Sequence, residues 1–281
     1  MTSDTFNSRA DGLAARAGVL ETAHGYFRTH RTRLYETCRK FALFERELGD
    51  VLEVGPFYSY TPMLLRDRAK SYSVLEGEDG AAEALRPLYA EHRVKLATID
   101  LFDAFGAVRG ATQRLPYESD AFNTILCWET MEHFNFNPVP FVHELLRVTR
   151  PGGRVYLTVP NRASGEALFA LLTDRNQRSS IDSYFKFADY KFNGKIGFLG
   201  FHWREYALTE FAHLFERSGF RIAEQGWLMH FQDYERLSLL RRIARVVLRG
   251  LCTLRPSLGK NCCLVVEKPA ASGSPAQANN S

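Results

Sequence analysis

At 281 residues with 45% apolar content, the chain carries enough hydrophobic material for one substantial core, and a single elaborated domain is expected. A net charge of +4 permits an anionic partner without demanding one. Five cysteines, Cys38, Cys127, Cys252, Cys262 and Cys263, are odd in number and lack Cys-x-x-Cys spacing; this excludes a zinc ribbon and fits a reduced cytosol.

Residues 1–10 are small and polar and read as a disordered or loose lead-in. No apolar signal-type core lies between Met1 and Arg16, and arginines interrupt the longer apolar stretches, so a cytoplasmic protein without a membrane span is expected. From Gly25 to Leu48 the apolar residues Phe27, Leu34, Cys38, Phe41 and Phe44 recur at helical spacing, giving an N-terminal helical cap over 1–48. His30 and Arg33 share one side of that helix. Asp50–Val54 then reads as a buried parallel strand ending at Gly55, followed by a turn and a helix that Thr61 would cap, with Pro62 in its first turn.

Further strands are expected at Ser71–Leu75, Val94–Ile99 and Ala121–Cys127, each ending in an acid: Glu76 before Gly77, Asp100 before Leu101, and Glu129 after Trp128. An acid at a strand end about 20 residues past the first turn is placed to accept ribose hydroxyls in nucleotide-binding α/β proteins. Residues 101–114 read as a loop with at most one short helix. A helix from Pro138 to Arg150 is broken by Pro151-Gly152-Gly153 before a fifth strand, Arg154–Val159. A helix ending at Gly219, a sixth strand from Phe220 to Gly226 and a seventh over Asn261–Glu267 complete the amino-to-carboxyl run of elements. The stretch 269–281, rich in Ala, Ser and Asn, reads as a disordered tail.

Three motifs carry a family resemblance. They are Leu115-Pro116-Tyr117-Glu118-Ser119-Asp120-Ala121-Phe122 with Cys127-Trp128-Glu129-Thr130-Met131-Glu132-His133; Glu144-Leu145-Leu146-Arg147-Val148-Thr149-Arg150-Pro151-Gly152-Gly153; and the strand ending in Pro160-Asn161. With the Glu53-x-Gly55 turn they resemble class I S-adenosylmethionine-dependent methyltransferases, type 11-like, over 50–160 and 202–268. The resemblance implies a Rossmann-like seven-stranded sheet with helices on both faces and an antiparallel last strand, over 49–268. It implies S-adenosylmethionine as cofactor, with Glu53, Gly55 and Phe57 lining the methionine part, Glu76 and Gly77 the ribose, Asp100 and Leu101 the adenine, and Cys127, Trp128 and Glu129 the backbone beside the sulfonium. Arg33 would pair with the cofactor carboxylate. One departure stands out: Phe57 and Ser59 occupy the second and third glycine positions of the family turn.

The insertion 162–206 would overhang the strand ends as a substrate lid. Nine aromatics between Tyr184 and Tyr206, with Lys186, Lys191 and Lys195 among them, suit a flat ring, a sugar face or a nucleobase. The expected reaction is methyl transfer to an oxygen, nitrogen or carbon nucleophile of a small-molecule, sugar or lipid-linked acceptor, with His133, His202 and Glu132 as catalytic candidates. Glu129, Glu132, His133 and His202 also resemble the metal set of small RNA 3′-terminal 2′-O-methyltransferases, which makes a divalent metal and an RNA-end acceptor the less favoured alternative. A noncatalytic methyltransferase-like binding protein is a further alternative. A dinucleotide oxidoreductase ranks last because the Gly-rich phosphate fingerprint is missing. Residues 234–251 form an amphipathic, arginine-rich helix, read as docked with a solvated basic face or, alternatively, as a peripheral membrane contact.

Overall fold

The computed structural model describes residues 1–17, 21–77, 80–106, 112–173, 191–192, 195–196, 201–230 and 239–270. The predicted strands form β1 (Gly49–Val54), β2 (Ala69–Glu76), β3 (Val94–Thr98), β4 (Phe122–Trp128), β5 (Thr149–Pro160), β6 (Arg221–Leu228) and β7 (Asn261–Glu267), in the spatial order β3-β2-β1-β4-β5-β7-β6. The first five pair in parallel, and β7 runs antiparallel to both β5 and β6. This is the Rossmann-like methyltransferase sheet.

Alternation along each strand explains why both faces are covered. Val51, Tyr72, Leu126, Tyr156, Cys263 and Val265 join one apolar cluster with the N-terminal helices. Their neighbours Leu52, Ile125, Leu157, Cys262 and Leu264 join the opposite cluster with α6 (Val139–Val148) and α8 (Leu208–Arg217). The other helices ahead of α8 include α3 (Thr61–Leu64), α4 (Gly80–Glu91), α5 (Leu101–Phe105) and α7 (Gly165–Leu172). The motif pieces are wired together: buried Glu144 accepts from the Leu115 amide at 2.7 Å, and Arg147 donates to both Glu144 and the Leu115 carbonyl.

Several expectations need correction. The expected lead-in over residues 1–10 is instead the opening of helix α1 (Ser3–Ala17), because Phe6, Ala10 and Leu13 form a buried stripe against α2 (Glu21–Lys40); the polar residues between them mask its periodicity in composition. Thr61 does not cap α3. Tyr60, with φ 57°, sits at the cap position, and the Thr61 hydroxyl donates to Glu53 instead. The amphipathic helix, α9 (Leu239–Leu254), does not dock its apolar stripe: Ile243, Val246, Val247, Leu251 and Leu254 are exposed. Residues 234–238 of that expectation, most of the predicted lid and the tail beyond 270 lie outside the described residues.

Candidate active site

The carboxyl ends of β1, β2 and β4 meet under α2. Gly55 has φ +64°, and a Cβ there would lie 3.0 Å from Thr130 Oγ1, so a side chain at that position would be strained and would press on Thr130. Phe57 has φ 52°, the left-handed conformation natural to glycine, and its amide donates to Glu76 Oε1 at 2.6 Å. Glu76 is buried. The phenylalanine thus keeps the backbone conformation a glycine would adopt, and its ring meets Tyr26 edge-on at 4.9 Å.

Glu53 is buried with both oxygens engaged, accepting from Thr61 Oγ1 and from the Tyr72 hydroxyl, each at 2.5 Å. Burial pushes its carboxyl up to about 7, although both hydroxyls favour the charged form. Asp100 Oδ1 caps α5 by accepting from the amides of Phe102 at 2.9 Å and Asp103 at 3.2 Å. Gly77 and Leu101 follow these acids at half-buried positions, while Cys127 and Trp128 are buried at the end of β4. Burial raises the Cys127 thiol to about 12, so it is no nucleophile.

Arg33 enters from α2. Its Nη1 lies 3.2 Å from Glu129 Oε2, and its Nη2 is 3.3 Å from the Tyr26 hydroxyl. Burial opposes the charge on Arg33, but Glu129 offsets this and keeps the guanidinium protonated. Glu129 Oε1 accepts from Asn261 Nδ2 at 2.7 Å, and Asn261 Oδ1 is 2.5 Å from His230 Nε2. Sequence reading did not single out Tyr26, Asn261 or His230. Tyr26, His30 and Arg33 do share a helical face, a signal available at the i, i+4, i+7 spacing.

The remaining candidates converge elsewhere. After Glu129, whose φ is 50°, the chain makes a tight 3-10 turn over Met131–His133, so Glu129 points to Arg33 and Asn261 while Glu132 and His133 face His202. A ligand atom from each of Glu132, His133 and His202 lies within 4.8 Å of the others. The two imidazole rings are 5.1 Å apart and nearly perpendicular. His133 Nδ1 sits 2.8 Å from the Phe201 carbonyl oxygen, and His202 Nδ1 is 3.2 Å from Glu205 Oε1. Burial lowers His133 to about 4, with the Phe201 carbonyl acting against it. Burial, reinforced by Glu129, raises Glu132 well above the usual carboxylate range. Arg33 Nε, His30 Nδ1, Trp128 Nε1 and Glu132 Oε2 are buried with no hydrogen-bond partner among the described residues.

A methyltransferase domain family model matches residues 27–225, more than half of the chain. The chain belongs to that family. It is a class I S-adenosylmethionine-dependent methyltransferase of the type 11-like kind. No curated protein matches the sequence. Among solved structures, a chain of the Haloferax volcanii complex between the Trm112 methyltransferase activator and a methyltransferase is 17% identical, with a TM-score of 0.58, covering 92% of this chain and 97% of that one. An S-adenosylmethionine-dependent methyltransferase from Mesorhizobium loti is 10% identical at TM-score 0.53, covering 83% of this chain and 98% of that one. A Bacillus halodurans methyltransferase is 16% identical at 0.51, covering 84% and 99%. At such identities the likeness is one of fold. In this methyltransferase the strand-end acids therefore occupy the edge where the fold binds ligands.

Proposed function

We propose that this methyltransferase transfers the cofactor methyl group to a hydroxyl oxygen of a small-molecule, sugar or lipid-linked acceptor, with His133 taking the hydroxyl proton. The observation that carries the reading is the 2.8 Å contact between His133 Nδ1 and the Phe201 carbonyl. A carbonyl only accepts, so Nδ1 carries the proton and Nε2 keeps the lone pair. With the ring lowered to about 4, His133 is neutral at physiological pH and able to act as base.

The residues at the strand ends fit S-adenosylmethionine. The close backbone approach at Gly55 and the buried Glu76 carboxylate suit the methionine chain and ribose, and buried Arg33, with Nε lacking a partner, suits the cofactor carboxylate. Phe57, Gly77, Asp100, Leu101 and the Cys127–Glu129 backbone would line the rest. When bound, the cofactor would supply an electrophilic methyl on a sulfonium, with the neutral thioether as leaving group. The chain's own part is to align acceptor and methyl, exclude water and receive the proton at His133 Nε2.

His133→Ala is expected to lower kcat by roughly 10²- to 10⁴-fold with cofactor affinity unchanged. The wild-type rate should persist as pH falls below 6.5 and fail only near 4. Full turnover by His133→Ala would refute the assignment. A second reading is favoured by the ligand atoms of Glu132, His133 and His202 within 4.8 Å and by the partnerless Glu132 Oε2. Those residues would hold Mg²⁺ or Mn²⁺ and lower the pKa of the acceptor hydroxyl, including that of an RNA end. In that case Mn²⁺ raises the melting temperature of the wild type but not of His202→Ala, and excess chelator abolishes transfer. Full activity in chelator leaves the metal-free base.

A further inference from the structure

The described part of the molecule turns an apolar surface outward on two neighbouring helices. On α9, Val246 is 72% and Leu254 85% exposed, and Ile243, Val247 and Leu251 fill the same stripe at i, i+3 and i+4 intervals. On α7, Phe169 and Leu171 are also exposed, and Leu172 is 85% exposed. The helices touch: a Cβ added to Gly165 of α7 would lie 2.6 Å from Leu248 Cδ1 of α9. Lys260, just beyond α9, is 3.1 Å from Glu166 of α7. Isolated exposed leucines are ordinary, whereas a contiguous set on adjoining helices marks a surface that meets something apolar.

Charge decides what that something is. Helix α9 contains four arginines and no acid. Arg242, Arg245 and Arg249, at i, i+3 and i+7, line one border of the apolar stripe, while buried Cys252 faces the protein. An apolar face on a helix that carries arginines and no acid fits a lipid bilayer with anionic headgroups: acyl chains take the Val and Leu side chains, and the positive field of the helix draws the headgroup phosphates. No helix among the described residues is long and apolar enough to cross a membrane, so the contact is interfacial.

The surface also lies at the site's edge of the sheet. Asn161, which follows β5 and precedes α7, donates to the carbonyls of Ser257 and Gly259 beyond α9, at 2.9 and 2.7 Å. Asn261, two residues after Gly259, holds Glu129. We propose that the α7–α9 surface docks the enzyme on an anionic membrane, with the ligand-binding edge beside the bilayer. The proposal does not depend on which acceptor is methylated.

The test is cosedimentation of the full chain with phosphatidylcholine vesicles, with and without roughly one third phosphatidylglycerol, at low and high salt. Binding is expected only to the anionic vesicles and is expected to weaken in salt. Val246→Glu with Leu254→Glu, and separately Arg242→Glu with Arg249→Glu, should each lower partitioning at least about tenfold. All four side chains are exposed, and the melting temperature of each double variant, measured beside wild type, separates an effect on binding from one on folding; the two pairs probe the apolar and charged components independently. Equal sedimentation with neutral and anionic vesicles, or none with either, overturns the proposal. So does a dimer that Val246→Glu with Leu254→Glu dissociates in the absence of vesicle binding, which would identify a second copy as the occupant.

Discussion

Asn261 donates its side-chain amide to Glu129 Oε1 at 2.7 Å while Arg33 holds Oε2 of the same carboxylate at 3.2 Å. A residue opening the last strand and one from the N-terminal helix thus meet on a carboxylate at the end of β4. The cluster ties the two ends of the fold across the mouth of the site, which explains why an N-terminal helix can lie over the strand ends in a fixed position.

The first prediction concerns this clamp. Glu129→Ala leaves the buried Arg33 charge without its ion-pair partner and should cost roughly 3–5 kcal/mol, whereas Asn261→Ala removes one charge-assisted bond and should cost about 1–3 kcal/mol. Arg33→Met combined with Glu129→Ala should recover much of the loss. Urea denaturation of these three variants and of Arg33→Met alone checks this. An additive double mutant would show that the pair is not coupled.

The second separates cofactor binding by Arg33 from its structural role. Arg33→Lys should weaken S-adenosylhomocysteine binding by about tenfold or more, and leave 5′-methylthioadenosine, which lacks the carboxylate, nearly unaffected. Calorimetry with both ligands distinguishes the cases. Equal losses for the two would mean that Arg33 acts only by holding α2 in place.

Much of this fold was legible because its signals are local. Val-, Ile- and Leu-rich runs ending in an acid or glycine located β1 to β4 to within about two residues, whereas β5 begins at Thr149, five residues earlier than expected, because Pro151-Gly152-Gly153 lies within the strand rather than ahead of it; Gly219, at φ +100°, follows α8 where the helix was expected to end. The family turn was legible at Glu53 and Gly55. That Phe57 would adopt φ 52° was not, because nothing in the residue type predicts a left-handed phenylalanine; the conformation is enforced by Glu76 accepting its amide. The opening turns of helix α1 were missed because, of the buried stripe, only Phe6 and Ala10 fall within residues 1–10, and only Phe6 is large. The divergence of Glu129 from Glu132 was hidden for a related reason. Helical spacing would put them on one face, but the strand end turns through a left-handed residue before the 3-10 turn begins.

Helix α1 yields the third prediction. Phe6 is fully buried, with ring centroids 6.1 Å from Phe27, 5.7 Å from Tyr35 and 6.0 Å from Phe44. Phe6→Ala should therefore destabilise the protein by about 3–5 kcal/mol. Phe6→Leu should cost less, because part of the volume is kept. A loss within about 0.5 kcal/mol for Phe6→Ala, in the range of a surface substitution, would return residues 1–10 to the status of a loose lead-in.

The last prediction follows from Glu53, which burial raises to about 7 from an ordinary 4.5 while Thr61 and Tyr72 donate to it. Between those values the unfolded chain has released the proton and the folded one retains it, so folding stability falls as pH rises across that window. Below about 4.5 both states are protonated and the effect vanishes; above 7 the loss is complete, at roughly 3 kcal/mol. Glu53→Gln keeps the shape and a hydrogen-bonding amide but cannot ionise. The stability of the variant relative to wild type should therefore increase between pH 5 and pH 8 by about 1–3 kcal/mol, as read from urea midpoints at the two values. Taking the difference between the proteins cancels the opposite slope from neutral histidines such as His133, whose contribution is lost as pH falls from 6.5 toward about 4. A difference that stays constant from pH 5 to pH 8 would mean that Glu53 is already ionised in the folded enzyme, with Thr61 and Tyr72 outweighing its burial.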